Sequence, residues 1–101
     1  MARYEITRKA LEDLNSIWRY SVKNWSEKQA DEYYGWIVRC FQKIALNPQM
    51  GKYYGDIRSG LHGIRVKRHI IFYRLSENSP VEIVRILHGR MDLKNNLKEW
   101  F

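Results

Sequence analysis

Polar and apolar residues alternate from Arg3 to Thr7, with the β-formers Tyr4, Ile6 and Thr7, and this predicts a short strand. The period then lengthens. Leu11, Leu14, Trp18 and Val22, flanked by Ala10 and Ile17, recur at three- and four-residue steps and predict one apolar stripe on a helix of about four turns. Lys23-Asn24-Trp25 breaks that pattern. Ser26-Glu27-Lys28-Gln29 matches a capping box, in which the Ser26 hydroxyl accepts from the Gln29 amide, and it opens a second helix. The apolar face expected there is Ala30, Tyr33, Tyr34, Ile37, Phe41, Ile44 and Ala45. Asn47-Pro48 ends it, because a residue before proline disfavours the helical region. So short a break between two helices predicts an antiparallel hairpin.

Residues 48–60 carry Pro48, Gly51, Gly55 and Gly60 and read as a loop. Beyond it, Ile64 and Val66 alternate with Arg65 and Lys67, His69 to Leu75 is dense in β-formers, and Val81 to Leu87 forms a last strand after a turn at Glu77–Pro80. Gly89 ends that strand, and residues 92–99, with Leu93 and Leu97, suit a short terminal helix. The order is β-α-α-β-β-β. It predicts an α+β fold, one domain over residues 1–101, with the helix hairpin packed on one face of an antiparallel sheet. Both of the last two strands have apolar residues on both faces, so their register stays open.

The chain is 45% hydrophobic and 14% aromatic, richer in both than a disordered chain. It has no run of 18 apolar residues and no apolar leader after Met1, so a cytoplasmic protein without membrane insertion is expected. Cys40, the single cysteine, falls in a helical apolar pattern and is expected to be a small core residue. The formal charge of +7 is uneven: eight Lys and Arg face six Asp and Glu in residues 1–51, against ten and five in residues 52–101. No acid lies between Asp56 and Glu77, a stretch holding Arg58, Arg65, Lys67, Arg68 and Arg74 with His62 and His69. Such a field attracts an acidic protein or a nucleic acid.

If the last two strands form a hairpin, His69 and His88 lie at its same end, flanked by Arg68 and Arg90. Two histidines and two arginines are the parts that RNA cleavage needs as base, acid and phosphate clamp, and Arg65, Lys67 and Tyr73 could join them. Structural or partner-binding roles carry more weight at a strand exit. His62, His69 and His88 lack metal-ligand spacing, no glycine-rich phosphate loop precedes a helix, and no cofactor is expected. Tyr34 and Trp36 cannot both share a face with Tyr33 and Ile37, so one of them is expected to be exposed or covered by a partner.

Gly60-Leu61, then His69-Ile70-Ile71-Phe72-Tyr73, then Arg85-Ile86-Leu87-His88-Gly89-Arg90-Met91-Asp92, closely resemble the ParE-like toxins of the RelE/ParE superfamily of type II toxin–antitoxin systems. Ala10 to Leu14, Ile17, Tyr20, Gln29-Ala30, Tyr33, Pro48 and Gly51 fit as well. The resemblance implies a toxin silenced by a ParD-like antitoxin with a flexible acidic C-terminal tail. It implies DNA gyrase as the target, with ribosome-dependent mRNA cleavage as the alternative. Toxicity is expected from the exit of the last strand: His88, Arg90 and Met91, with Arg68 and His69 beside them. In the alternative, His69, His88, Arg65 and Arg90 would be catalytic. Tyr34, Trp36, Arg65 and Arg74 are the expected antitoxin contacts.

Overall fold

The computed structural model describes residues 3–75, 80–89 and Leu97. Its elements are β1 (Tyr4–Ile6), α1 (Arg8–Asn24), α2 (Glu27–Leu46), β2 (Lys52–Tyr53), β3 (Leu61–Val66), β4 (His69–Arg74) and β5 (Val81–His88), with one 3-10 turn at Pro48–Met50. The terminal helix expected over residues 92–99 lies outside the described residues except for Leu97, which is fully buried.

Short polar side chains start both helices. Thr7 caps α1 by accepting from the Ala10 amide at 3.1 Å, and Ser26 caps α2 by accepting from the Gln29 amide at 3.1 Å. The face that α1 buries is not the expected one. Ala10, Leu14 and Ser21 are buried, while Leu11 is 45% exposed. Leu14 belongs to both possible stripes, and the small Ala10 and Ser21 let the helix approach its neighbours closely. Ser21 satisfies its own hydroxyl by donating to the Ile17 carbonyl, 2.9 Å away. On α2, Ala30, Tyr33, Ile37, Phe41 and Ile44 are buried, and Tyr34 and Trp36 are both exposed. The Trp18 indole donates to Asp31 at 2.9 Å and ties the two helices together.

The five strands form one sheet in the order β1-β5-β4-β3-β2. It is mixed, not antiparallel as expected: β1 runs parallel to β5, with Tyr4 opposite Val81 and Ile6 opposite Ile83. The helix hairpin and the three strands after it make up the long connection between these parallel neighbours. β2, inside the stretch expected to be loop, adds two residues to the opposite edge. The helices cover one face with Leu14, Tyr33, Ile37 and Phe41 against Ile71, Tyr73, Ile83 and Ile86. The other face buries Leu61, Ile70, Phe72, Val84, Leu87 and Leu97, with Tyr54 and Ile57 of the loop over it. Burial on both sides explains the unbroken apolar run from Ile70 to Tyr73.

A β-bulge fixes how the hairpin seats on the sheet. Phe72 pairs with Arg85 but Tyr73 pairs with Ile83, so Val84 is the extra residue. Val84 takes the outer face beside Phe72, and Arg85 reaches Asp13 on α1. Arg85 Nε and Nη2 donate to the two Asp13 oxygens at 2.7 and 3.0 Å. Asp13 also accepts from the Ile86 amide at 2.9 Å, and Thr7 donates its hydroxyl to the Val84 carbonyl at 3.0 Å. Past the end of β1, the side chains of Thr7 and Asp13 therefore continue the ladder of β5.

Two ion pairs should separate by burial. Asp13–Arg85 is 16% exposed on each side, whereas Arg74–Glu82 is 35% exposed on each. Asp13→Ala is expected to cost about 2–4 kcal/mol in urea unfolding, because it strands a guanidinium and a backbone amide. Glu82→Ala should cost at most about 1 kcal/mol. Equal losses would remove Asp13 from its place at the centre of the fold.

Candidate partner-binding cleft

A cleft of about 660 Å³ opens between the C-terminal half of α1, the N-terminal half of α2 and the turn from β3 to β4. Ile17, Tyr20, Trp25, Tyr33 and Trp36 form its apolar wall. Lys67, Arg68, His69 and His88 come from the sheet side.

The turn is tight. Val66 pairs with His69, so Lys67 and Arg68 alone make the connection. Lys67 has φ +54°, a left-handed conformation that costs a residue with a β-carbon about 1 kcal/mol. Contacts on both sides hold it there. Its ammonium lies 4.3 Å from the centre of the Trp36 ring, and Arg65 Nη1 donates to its carbonyl at 3.2 Å. The next side chain repeats the device, with the Arg68 guanidinium 5.0 Å from the Trp25 ring. One turn thus places a cation on each of two tryptophans.

Behind the turn, His69 and His88 are directly paired across β4 and β5, with ring centroids 5.4 Å apart. The Tyr33 hydroxyl donates to the Val66 carbonyl at 2.9 Å and lies 2.7 Å from His69 Nδ1. With the single phenol hydrogen given to Val66, Nδ1 carries its own hydrogen and donates to the Tyr33 oxygen. Burial above all, with His88 and Arg68 adding to it and Asp13 opposing, lowers the His69 pKa to about 4. His69 is therefore a neutral ring at pH 7. Burial likewise raises the pKa of Tyr33.

The fold gathers some of the residues singled out in the sequence and separates others. Arg65, Arg68, His69 and His88 meet at one end of the β3–β4–β5 sheet. Arg65 lies against Gly89, where a β-carbon would come within 2.7 Å of its guanidinium, and the Gly89 amide donates to the Arg68 carbonyl at 2.8 Å. Glycine at 89 makes room for an arginine; among the described residues only Gly60 and Lys67 have positive φ. Arg90 and Met91 lie outside the described residues. Trp36 joins the cleft through Lys67, whereas Tyr34 lines a shallow depression with Asn15, Trp18, Arg19 and Asp31. Arg74 is ion-paired to Glu82 at the other end of β4. Tyr73, proposed as a catalytic side chain in the ribonuclease alternative, is fully buried. Its hydroxyl donates to the Pro48 carbonyl at 2.7 Å and accepts from the Gly51 amide at 3.0 Å, so it braces a loop and reaches no site. Trp25 and Tyr20 were missed as cleft residues. Their only signal was an indole in a helix break and a tyrosine off the apolar stripe.

Residues 4–93 match the family model described as "ParE toxin of type II toxin-antitoxin system, parDE". Toxin ParE1 of Caulobacter vibrioides is 34% identical over 97 residues, covering 96% of this chain and 99% of that one. Toxin ParE1 of Mycobacterium tuberculosis is 31% identical over 96 residues, covering 95% and 98%. In three dimensions the chain is similar to a structure titled "Chromosomal ParDE TA system from P. aeruginosa". The TM-score is 0.75 at 20% identity, over 87% of this chain and 96% of the other, a likeness of fold.

His69 predicts acid sensitivity. Unfolded, it takes up a proton near pH 6.5; folded, it resists until about 4. Unfolding is therefore accompanied by proton uptake in that window, and the stability that the neutral ring contributes is full above pH 6.5 and lost as pH falls to about 4. Melting temperatures across pH 7.5–4 should fall more for the parent than for His69→Gln. Parallel curves would show that His69 titrates normally.

Proposed function

The chain belongs to the ParE family of toxins of type II toxin–antitoxin systems, and from that premise we propose that it arrests growth by binding DNA gyrase, while an antitoxin with an acidic tail holds it silent. The observation that carries this reading is the family match over residues 4–93, taken with the cationic end of the sheet where Arg65, Arg68 and His88 meet. A strand's interior serves the core, and its exit is where side chains are free to engage another molecule. Arg68, His69, His88, Arg90 and Met91 are the target contacts in this reading. Trp36 and Arg65 are antitoxin contacts, and the uneven positive charge draws in the acidic tail.

The chemistry at this end favours binding over RNA cleavage. A general acid works with a pKa near the operating pH, and His69, at about 4, is not in the imidazolium form at pH 7. Its Nδ1 is engaged with Tyr33, and Tyr73 is walled off. Among the described residues, no helix is long and apolar enough to cross a membrane.

Purified toxin should inhibit gyrase supercoiling and trap cleavage complexes while leaving ribosome-bound mRNA intact. Site-specific cuts in the mRNA with gyrase untouched would overturn the reading in favour of the ribonuclease alternative. In cells, Arg90→Ala is expected to abolish growth arrest while changing folding stability by no more than about 0.5 kcal/mol. An Arg90→Ala protein that arrests growth like the parent would move the target site elsewhere.

A further inference from the structure

We propose that the cleft between the helix hairpin and the β3–β4 turn is a binding site for a free nucleoside monophosphate, whose base lies on the Trp25 and Trp36 faces while its phosphate is held by Arg68 and Lys67. The observation is a repeated unit. Trp25 is braced edge-on by Tyr20, with centroids 6.5 Å apart and planes at 84°. Trp36 is braced in the same way by Tyr33, at 6.3 Å and 90°. Each indole remains 41–49% exposed, and each carries one cation from consecutive residues of a single turn.

This arrangement matches the two halves of a nucleotide. A half-exposed indole held by a perpendicular ring is a stacking platform for a flat ring, and every base has such a face. The cation already resting on that face marks it as electron-rich and accessible. A nucleotide would slide its base onto the indole and give the displaced ammonium or guanidinium a phosphate, a stronger partner than a π-face. Arg68 supplies a planar fork suited to two phosphate oxygens, and Lys67 a point charge beside it. The volume of about 660 Å³ lies within the range of small-molecule sites and accommodates one nucleotide.

The remaining lining offers edges for the base. Glu32 stands in the wall, where its carboxylate accepts from the amino and ring N–H groups of a base. Gln29 and Ser16 offer further polar edges, and His69 presents a neutral ring. Guanine, with adjacent N–H donors on one edge, suits Glu32 best.

The test is isothermal titration of the full-length chain with GMP, with AMP, with a single-stranded DNA 10-mer and with a poly-glutamate peptide. GMP should bind, and more tightly than AMP. Trp25→Leu and Trp36→Leu should each weaken it roughly tenfold or more, the scale of one lost base–aromatic stack. Arg68→Ala should weaken it and flatten its salt dependence. Leu46→Gln, at the exposed C-terminal end of α2 and away from the cleft, should leave affinity unchanged, and circular dichroism would verify that each variant is folded. Absence of heat with millimolar GMP overturns the proposal. So does GMP binding that both tryptophan variants retain. Binding of the 10-mer or of poly-glutamate without binding of GMP assigns the cleft to a strand or a peptide and overturns it equally. The result is independent of the target, since a chain that binds GMP and spares gyrase would refute only the gyrase reading.

Discussion

Asp13 is the residue on which the arrangement of layers depends. One carboxylate on α1 engages the Arg85 guanidinium at two points and the Ile86 amide as well. Three hydrogen bonds to one small group define both how far along β5 the helix sits and how it is rotated. Thr7 adds the neighbouring point of attachment and caps the same helix. Removing these groups would leave the hydrophobic surfaces of hairpin and sheet in contact but with little to choose among ways of sliding past each other. Apolar contact is non-directional, and the polar seam supplies the direction.

That placement carries through to the cleft. With α1 seated, α2 follows through the Trp18–Asp31 bond and the short connection at Trp25. Tyr33 then lands over the β3–β4 turn, where it fixes the orientation of the His69 ring. The cluster at that end is crowded with positive charge, and a charged His69 imidazole there would add to the repulsion. Burial resolves this by keeping His69 neutral. The cations that remain are laid on aromatic faces or turned toward carbonyls, so a chain with a net charge of +7 maintains a dense basic end within a folded domain.

Much of this was legible in the sequence where the determinants are local. Ser26 with Gln29 announced the start of α2, and Asn47-Pro48 announced its end. The three late strands and their hairpins were evident from β-formers between turn residues, and the family resemblance rested on those strands. Features that rest on distant partners were not legible. Nothing in Tyr4–Ile6 states that its neighbour is β5 or that the pairing is parallel. The bulge at Val84 shows only once Phe72 and Tyr73 are placed opposite. The choice between two overlapping stripes on α1 depended on close packing at Ala10 and Ser21, which a count of large apolar residues overlooks. Lys67 in a left-handed turn position was unreadable because the usual signal, a glycine or asparagine, is absent.

The parallel pairing of β1 with β5 also bears on when this protein can become harmful during its synthesis. The Thr7–Val84 bond spans 77 positions, and β5 lies between β1 and β4 in the sheet. A nascent chain that has left the ribosome only as far as β4 has both helices but lacks the strand that joins them to the rest. Closing so long a loop is slow compared with forming a hairpin of helices. His88, at the end of β5, is among the last described groups to reach its place. A surface that assembles so late leaves an interval, between translation and competence, in which a protein already made can intercept it.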